Sequence, residues 1–383
     1  MYIVDNFING AANTVSDDSS LIIDPSYGKD IGKVLYATTD TADLAIESAK
    51  QAFENWSLTG LSYRAELILK FRQGIIDRSN EIIGICTSEA GKTKPDAEAE
   101  LDRAIQALTN ASAVQHFYPS HLSPNVAGGI DIADRRYPIG VIAGVGPFNF
   151  PILIPILHSA MALVTGNTYI AKPSEKVPSI SRLYGDIYKE SGLPDGCYNV
   201  VNGSKEIVEH LVCHKDIAGL AFIGSTVAAR SLKMLGVEHN TKVQALGGGK
   251  NHMIVLPDAD LDMSADAAVS ASFGAAGQRC MAVSVVVAVG DIADDLINKI
   301  KERMPNLVMG KTDNNDTQLG PVISMENKER IYSFIDVAQS EGATLSVDGR
   351  KLSDGKEGCF VGPTLIDNVK PGMSVYENEI FGP

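Results

Sequence analysis

Apolar residues recur at helical spacing through much of the first third of the chain. Over 40–56, Leu44, Ala45, Ala49 and Phe53 fall near one face of a 3.6-residue repeat, with Thr41 or Asp40 placed to cap the start. Residues 64–88 and 96–117 follow the same pattern. Over 119–138 the texture changes to Pro, Gly and Asp around alternating Ile130 and Ile132, which predicts an excursion built as a strand pair between two larger units. From Ile139 onward, short apolar runs at 140–146, 168–171, 198–201, 219–223 and 243–246 are separated by helical stretches. That alternation predicts a parallel sheet in an α/β fold. After Gly247-Gly248-Gly249 a second block begins, with strands expected at 252–256, 282–289 and 359–365 and helices at 265–276, 294–303 and 327–341. A domain change is therefore expected near 246–250.

The 383 residues allow two or three domains, and 44% hydrophobic against 21% charged residues is a globular composition. The net charge of −14 argues against non-specific binding to nucleic acid or an anionic membrane, but not against small anionic ligands. The five cysteines, Cys86, Cys197, Cys213, Cys280 and Cys359, are widely spaced and form no Cys-x-x-Cys. A reducing, cytoplasmic compartment is expected, and a metal site is not. The first residues show neither a basic-apolar signal pattern nor an Arg-rich transit pattern. The most apolar run, 151–164, is interrupted by Pro155 and His158 and reads as a buried helix rather than a bilayer span.

Four segments have the residue types for chemistry. Cys280 follows Arg279 after a small-residue turn, and a neighbouring cation favours the reactive thiolate. Asn149, in Pro147-Phe148-Asn149-Phe150-Pro151, stands between a strand and a helix, where its amide can stabilise an oxyanion. Lys172 and Glu175 follow the 168–171 strand, a place suited to holding ribose hydroxyls. Glu175 would repel a 2′-phosphate, which favours NAD over NADP. Gly224-Ser225-Thr226 opens a helix whose amides suit a pyrophosphate, although the Gly-x-Gly-x-x-Gly fingerprint is missing. Taken singly, each segment also reads as an ordinary turn, cap or structural residue.

Together and in this order, PFNFP at Asn149, KPSE at 172–175, Gly224-Ser225-Thr226, the glycines before Lys250-Asn251, GQRC at Cys280 and Glu379-Ile380-Phe381-Gly382-Pro383 resemble the aldehyde dehydrogenase superfamily over essentially the whole chain. The resemblance implies a Rossmann-like NAD-binding domain (1–118 and 139–246), an oligomerisation hairpin (119–138) and an α/β catalytic domain (247–383). Family members continue beyond the point where this chain stops, so the catalytic domain is expected to be incomplete at its C-terminus, and the chain alone poorly soluble and weakly active. By the same likeness Cys280 attacks the aldehyde, and Asn149 and the Cys280 N–H hold the oxyanion. Lys172 and Glu175 bind the adenine ribose, and Gly224 and Ser225 face the pyrophosphate. Phe148 belongs to the cofactor site, while Glu379 and Phe381 position the nicotinamide ribose and ring. A homo-oligomer, dimer or tetramer, is also implied.

Within the superfamily the chain is similar to the CoA-acylating methylmalonate-semialdehyde dehydrogenase branch. The likeness lies in Asn125–Asp131, Gly249-Lys250-Asn251-His252, Leu256–Asp260, Gln278–Ala282 and Phe71-Arg72-Gln73. Hydrolytic members carry a water-activating glutamate in Glu-Leu-Gly-Gly-Lys. Here the segment is Ala245-Leu246-Gly247-Gly248-Gly249-Lys250, and either alignment puts a residue without a basic group, Ala245 or Leu246, in that place. A thioester on Cys280 should then resist water and pass to the thiol of CoA. Arg279 and Arg103 suit the carboxylate of a methylmalonate or malonate semialdehyde, giving propionyl-CoA or acetyl-CoA and CO2. For Arg103 the competing expectation is an i,i+3 pair with Glu100. Rival readings are a hydrolytic NAD-dependent enzyme that releases free acid, an inactive truncated homologue, and an NAD-independent cysteine acyltransferase, for which His252 is the nearest histidine in sequence.

Overall fold

In the computed structural model, which describes residues 1–117, 120–353 and 355–383, the helix predicted over 40–56 runs Thr39–Trp56. Its cap is neither Thr41 nor Asp40. Thr38 Oγ1 accepts from the Thr41 N–H at 3.1 Å, and Asp40 falls in the first turn, where its charge complements the helix dipole. The stretch 64–88 is two helices, Leu61–Asp77 and Ser79–Ala90, broken at Arg78. The first 36 residues are not helical. They form the strands Tyr2–Val4, Asn6–Ile8, Ala11–Asn13, Asp18–Asp24 and Lys29–Tyr36, whose short polar alternation carried no clear period.

The backbone divides into two compact units: Met1–Ile22, Gly32–Ile82 and Ala99–Gly247 form one, and Ile23–Ile31, Ile83–Glu98 and Gly248–Pro383 the other. In the first, a seven-stranded sheet runs in the order Lys242–Leu246, Ile217–Ile223, Val141–Val145, Thr168–Lys172, Tyr198–Val200, Asn6–Ile8, Ala11–Asn13. The five strands from the predicted α/β block pair in parallel, and the two N-terminal strands extend the sheet in antiparallel fashion. Thr168–Lys172 is buried along its whole length, as expected of a central parallel strand covered by helices on both faces. Ile46, Ala143, Ile170, Leu211 and Leu220 share the core beneath it. Each of these Ile and Leu side chains contributes about 1.5–3 kcal/mol by leaving water.

The second unit has a parallel pair, His252–Val255 with Val285–Ala288, and an antiparallel pair, Thr344–Val347 with Leu365–Asp367. The helices Leu261–Phe273, Ala293–Arg303 and Met325–Ser340 bury Phe273, Leu296, Ile331 and Ile335 in one core. The strand predicted over 359–365 is displaced, since only Leu365–Asp367 joins a ladder. Cys359 instead donates its N–H to the Pro25 carbonyl at 2.8 Å and accepts from the Val322 N–H at 2.9 Å. These bonds help explain why 23–31 packs with the later unit, although the sequence reading placed it in the first domain. The Thr312 hydroxyl donating to the Thr87 carbonyl at 3.2 Å does the same for 83–98. Hydrophobic period reports local shape and not the identity of a distant partner.

The excursion contains an antiparallel hairpin of two exposed strands, Leu122–Ala127 and Ile130–Ala133. Tyr118 and Pro119, and with them the expected boundary at 118/119, lie outside the described residues. Among the described residues no helix is long and apolar enough to cross a membrane, and no cluster of His, Cys, Asp and Glu is arranged to hold a metal ion.

Candidate active site

In the first unit, the residues singled out from the sequence gather along one edge of the sheet. Phe148 and Asn149 follow Val141–Val145. Lys172 ends Thr168–Lys172, with Glu175 three residues on, and Gly224 and Ser225 follow Ile217–Ile223. These three strands are neighbours and parallel, so their carboxyl ends open on the same side, where open α/β sheets take ligands. Asn149 is buried. The helix after it, Leu153–Val164, has its first amides capped from elsewhere in the chain: the buried Glu100 carboxylate accepts from the N–H groups of Ile152 and Leu153, each at 2.8 Å. Glu100 is therefore a holder of the Asn149 segment and not the partner of Arg103. Arg103 is exposed and makes no ion pair among the described residues.

Lys172 has a side chain only 6% exposed and pairs with Glu175 at 3.5 Å. Burial pushes its ammonium below the ordinary lysine value, and Glu175 offsets part of that. A buried ammonium with donors to spare, beside a carboxylate, matches the hydroxyl pair of a ribose. Ser225 caps the helix Thr226–Glu238, its Oγ accepting from the Ala228 N–H at 3.3 Å. A Cβ on Gly224 would stand 2.6 Å from the Phe222 ring, so the turn admits no side chain unless that ring moves. The donor set fits a dinucleotide: a ribose pair at one strand end, and a helix start with a bare backbone at another.

In the second unit, Cys280 closes a turn of unusual backbone. Ala275 (φ 51), Ala276 (φ 53) and Gly277 (φ 69) are consecutive left-handed residues, and the first two lack the freedom of glycine. The Gly277 Cα lies so close to the Gly382 carbonyl that a Cβ would come within 2.2 Å of its oxygen. Beyond the turn, the Asn251 side-chain amide donates to the carbonyls of Cys280 and Ala282, both at 2.9 Å. Asn251 stands in the Gly249-Lys250-Asn251-His252 stretch of the likeness, where no role beside Cys280 is expected of it. Its spacing from Cys280, 29 residues, carries no local signal. Cys280 is exposed, whereas Cys86, Cys197 and Cys359 are buried. Burial drives the Cys197 thiol up to about 12, out of reach of thiolate chemistry near neutral pH.

The Glu379–Phe381 segment belongs to the same unit. Lys250 donates to the Asn378 carbonyl at 2.8 Å and Arg330 to the Ile380 carbonyl at 2.6 Å, so two cations fix the backbone on either side of Glu379. Burial raises the Glu379 carboxyl, opposed by the Gly249 N–H and then by Lys250 and Arg330. Phe381 adopts a left-handed φ of 57°. Arg279, Glu379 and Phe381 line one cavity of about 440 Å³. The guanidinium of Arg279 is bonded to Asp96. His252 has its Nδ1 on the Lys250 carbonyl at 2.8 Å and its ring edge-on to Tyr376. The place of the hydrolytic glutamate falls at the end of Lys242–Leu246. Ala245 is registered against Phe222 and Leu246 against Ile223, and Leu246 is 50% exposed. Neither can move a proton.

The family model for the aldehyde dehydrogenase family matches residues 13–383. Malonate-semialdehyde dehydrogenase 3 of Geobacillus kaustophilus is 39% identical over 99% of this chain and 78% of its own length, and malonate-semialdehyde dehydrogenase of Halalkalibacterium halodurans 37% identical with the same coverage. Among solved structures, a methylmalonate-semialdehyde dehydrogenase from Oceanimonas doudoroffii and a putative one from Sinorhizobium meliloti complexed with NAD each superpose with a TM-score of 0.97. Both are 39% identical, over 100% of this chain and 79% of theirs. The parallel sheet with the candidate ligand residues at its carboxyl edge, the exposed cysteine at a strained turn and these matches across nearly the whole sequence have one explanation: the chain belongs to the aldehyde dehydrogenase family.

Proposed function

We propose that the protein oxidises methylmalonate or malonate semialdehyde with NAD and passes the acyl group from Cys280 to CoA, giving propionyl-CoA or acetyl-CoA and CO2. The relatives named above support the substrate class, and the NAD-bound relative supports the dinucleotide. The observation that carries the CoA step is the apolar end of Lys242–Leu246, which offers water no base.

On this reading the Cys280 thiolate attacks the aldehyde carbon. The C–S bond forms as the carbonyl π pair moves to oxygen, and the Asn149 amide and Cys280 N–H stabilise that oxyanion. NAD, when bound, accepts the hydride that leaves the substrate carbon. Lys172 and Glu175 would hold the adenine ribose, Gly224 and Ser225 would face the pyrophosphate, Phe148 would complete that side, and Glu379 and Phe381 would orient the nicotinamide end. Arg279 and Arg103 bind the carboxylate. The thioester on Cys280 is then attacked by the CoA thiolate, and Cys280 leaves as thiolate. When the carboxylate departs as CO2, the C–C pair passes to the carbon next to the thioester carbonyl, which is then protonated. We assign NAD binding to 1–118 and 139–246 apart from 23–31 and 83–98, which pack with 247–383, catalysis to that later unit and homo-oligomer assembly to the 119–138 hairpin, in a cytoplasmic setting that keeps Cys280 reduced.

The test is steady-state NADH formation with and without CoA, with product analysis. Turnover should require CoA and yield the acyl-CoA. Equal rates without CoA, with release of free acid, would overturn the acyl-transfer step and favour the hydrolytic reading.

A further inference from the structure

Arg279 does not stand free beside the nucleophile. One edge of its guanidinium, through Nη2, is bonded to Asp96 Oδ1. The Asp96 side chain is itself only 14% exposed. Its other oxygen accepts from the Ala275 N–H at 3.1 Å and the Thr93 hydroxyl at 3.0 Å, and Thr93 Oγ1 accepts in return from the Asp96 N–H at 3.3 Å. One carboxylate thus ties the first left-handed residue of the nucleophile turn to the arginine before the nucleophile. Nη1 lies over Gly274, where a Cβ would stand 2.5 Å from Nη1 and 2.7 Å from Cζ. The backbone of Gly274 has an ordinary φ of −55°, so its dihedrals do not call for glycine; the flat seat of the guanidinium does. Arg279 lines the 440 Å³ cavity and is 34% exposed, and among the described residues Asp96 is its one ion-pair partner. A guanidinium has five donors in a rigid plane, enough for two carboxylates on different edges.

We propose that Asp96 is a positioning residue for substrate selection: it grips one edge of Arg279 over Gly274 and so presents the other edge to the carboxylate of the semialdehyde. This rests on the reading of Arg279 as the carboxylate binder given above.

The test compares a charged and a neutral electrophile at the same sulfur, with no turnover needed. Alkylation of Cys280 by iodoacetate and by iodoacetamide is followed by mass spectrometry at that residue, alongside kcat/KM for methylmalonate semialdehyde and for propanal. Asp96→Asn keeps an acceptor for Ala275 and Thr93 but removes the charge that holds Arg279. Gly274→Ala keeps every charge and moves the guanidinium. Both should lower the carboxylate-to-neutral ratio in both assays by about tenfold, through KM, with the propanal kcat unchanged. In an Arg279→Leu background, Asp96→Asn should lower it no further. If Arg279→Leu lowers the ratio and the other two variants leave it alone, the proposal is wrong and the carboxylate reading stands. An unchanged ratio in Arg279→Leu removes both. Equal losses on charged and neutral reagents would reduce Asp96 to a structural residue. Should Asp96→Asn fail to fold, Gly274→Ala decides alone.

Discussion

The sheet edge of the first unit and the Cys280 turn of the second solve the problem of aiming a side chain in opposite ways. At the sheet edge, parallel pairing does the work. Three adjacent strands end together, and Lys172 and Ser225 inherit their placement from backbone ladders, with Glu100 adding a hold on the segment after Asn149. At the turn, no ladder is available. Ala275 to Gly277 are held in left-handed conformations by contacts from far along the chain, namely Asp96 on Ala275, Asn251 on Cys280 and Gly382 against Gly277. A regular scaffold tolerates change at any single contact, whereas a strained loop is only as good as each of its few anchors.

Four experiments press on that contrast. Cys280→Ala has the largest expected effect: the NADH burst on addition of aldehyde disappears, while NAD binding, measured by fluorescence titration, is unchanged because the sheet edge is intact. Gly277→Ala combines a side chain at φ +69° with a Cβ 2.2 Å from the Gly382 oxygen, and should cost about 3 kcal/mol in urea unfolding of the second unit. A loss below about 1 kcal/mol would mean that the turn relaxes freely and that strain is not what holds it.

The third experiment tests the first unit through pH. His158, on the helix Leu153–Val164, has a buried Nδ1 without a partner among the described residues, and burial pushes its imidazole down from 6.5 to about 4. The unfolded chain therefore binds the proton more tightly. Stability from this group is complete above pH 6.5 and is lost as pH falls towards 4, by about 2–3 kcal/mol. His158→Phe should flatten that slope in urea titrations between those pH values, and an unaltered slope would place the pH dependence elsewhere. The smallest effect is expected from Ser225→Ala. Losing one N-cap bond on a helix already held by its sheet should cost about 1 kcal/mol. On the proposed function it should weaken NAD binding only a few-fold, because backbone amides rather than the hydroxyl meet the phosphates.

Much of the first unit could be read from sequence because its structure is periodic. Alternating apolar runs and helices gave the five parallel strands to within a few residues, and the candidate ligand residues follow three of them on the same side of the sheet. The N-terminal strands escaped, since Asn6–Ile8 and Ala11–Asn13 are three residues each and owe their place to pairing beside Tyr198–Val200. The strand expected over 359–365 was misplaced for the related reason that Cys359 bonds across more than 300 residues to Pro25.

The sequence by itself determined the residue types at the candidate positions: a cysteine after an arginine, an asparagine between strand and helix, and no base where a hydrolytic glutamate would stand. Those are matters of chemical identity, and folding does not alter them. Tertiary structure alone decided which groups hold them. Glu100 serves the Asn149 helix and not Arg103, Asp96 takes one edge of Arg279, and Asn251 fixes the Cys280 carbonyl. Each of these is a polar contact between residues dozens of positions apart. Hydrogen bonds and ion pairs depend on distance and angle, which no local period of hydrophobic and polar residues encodes.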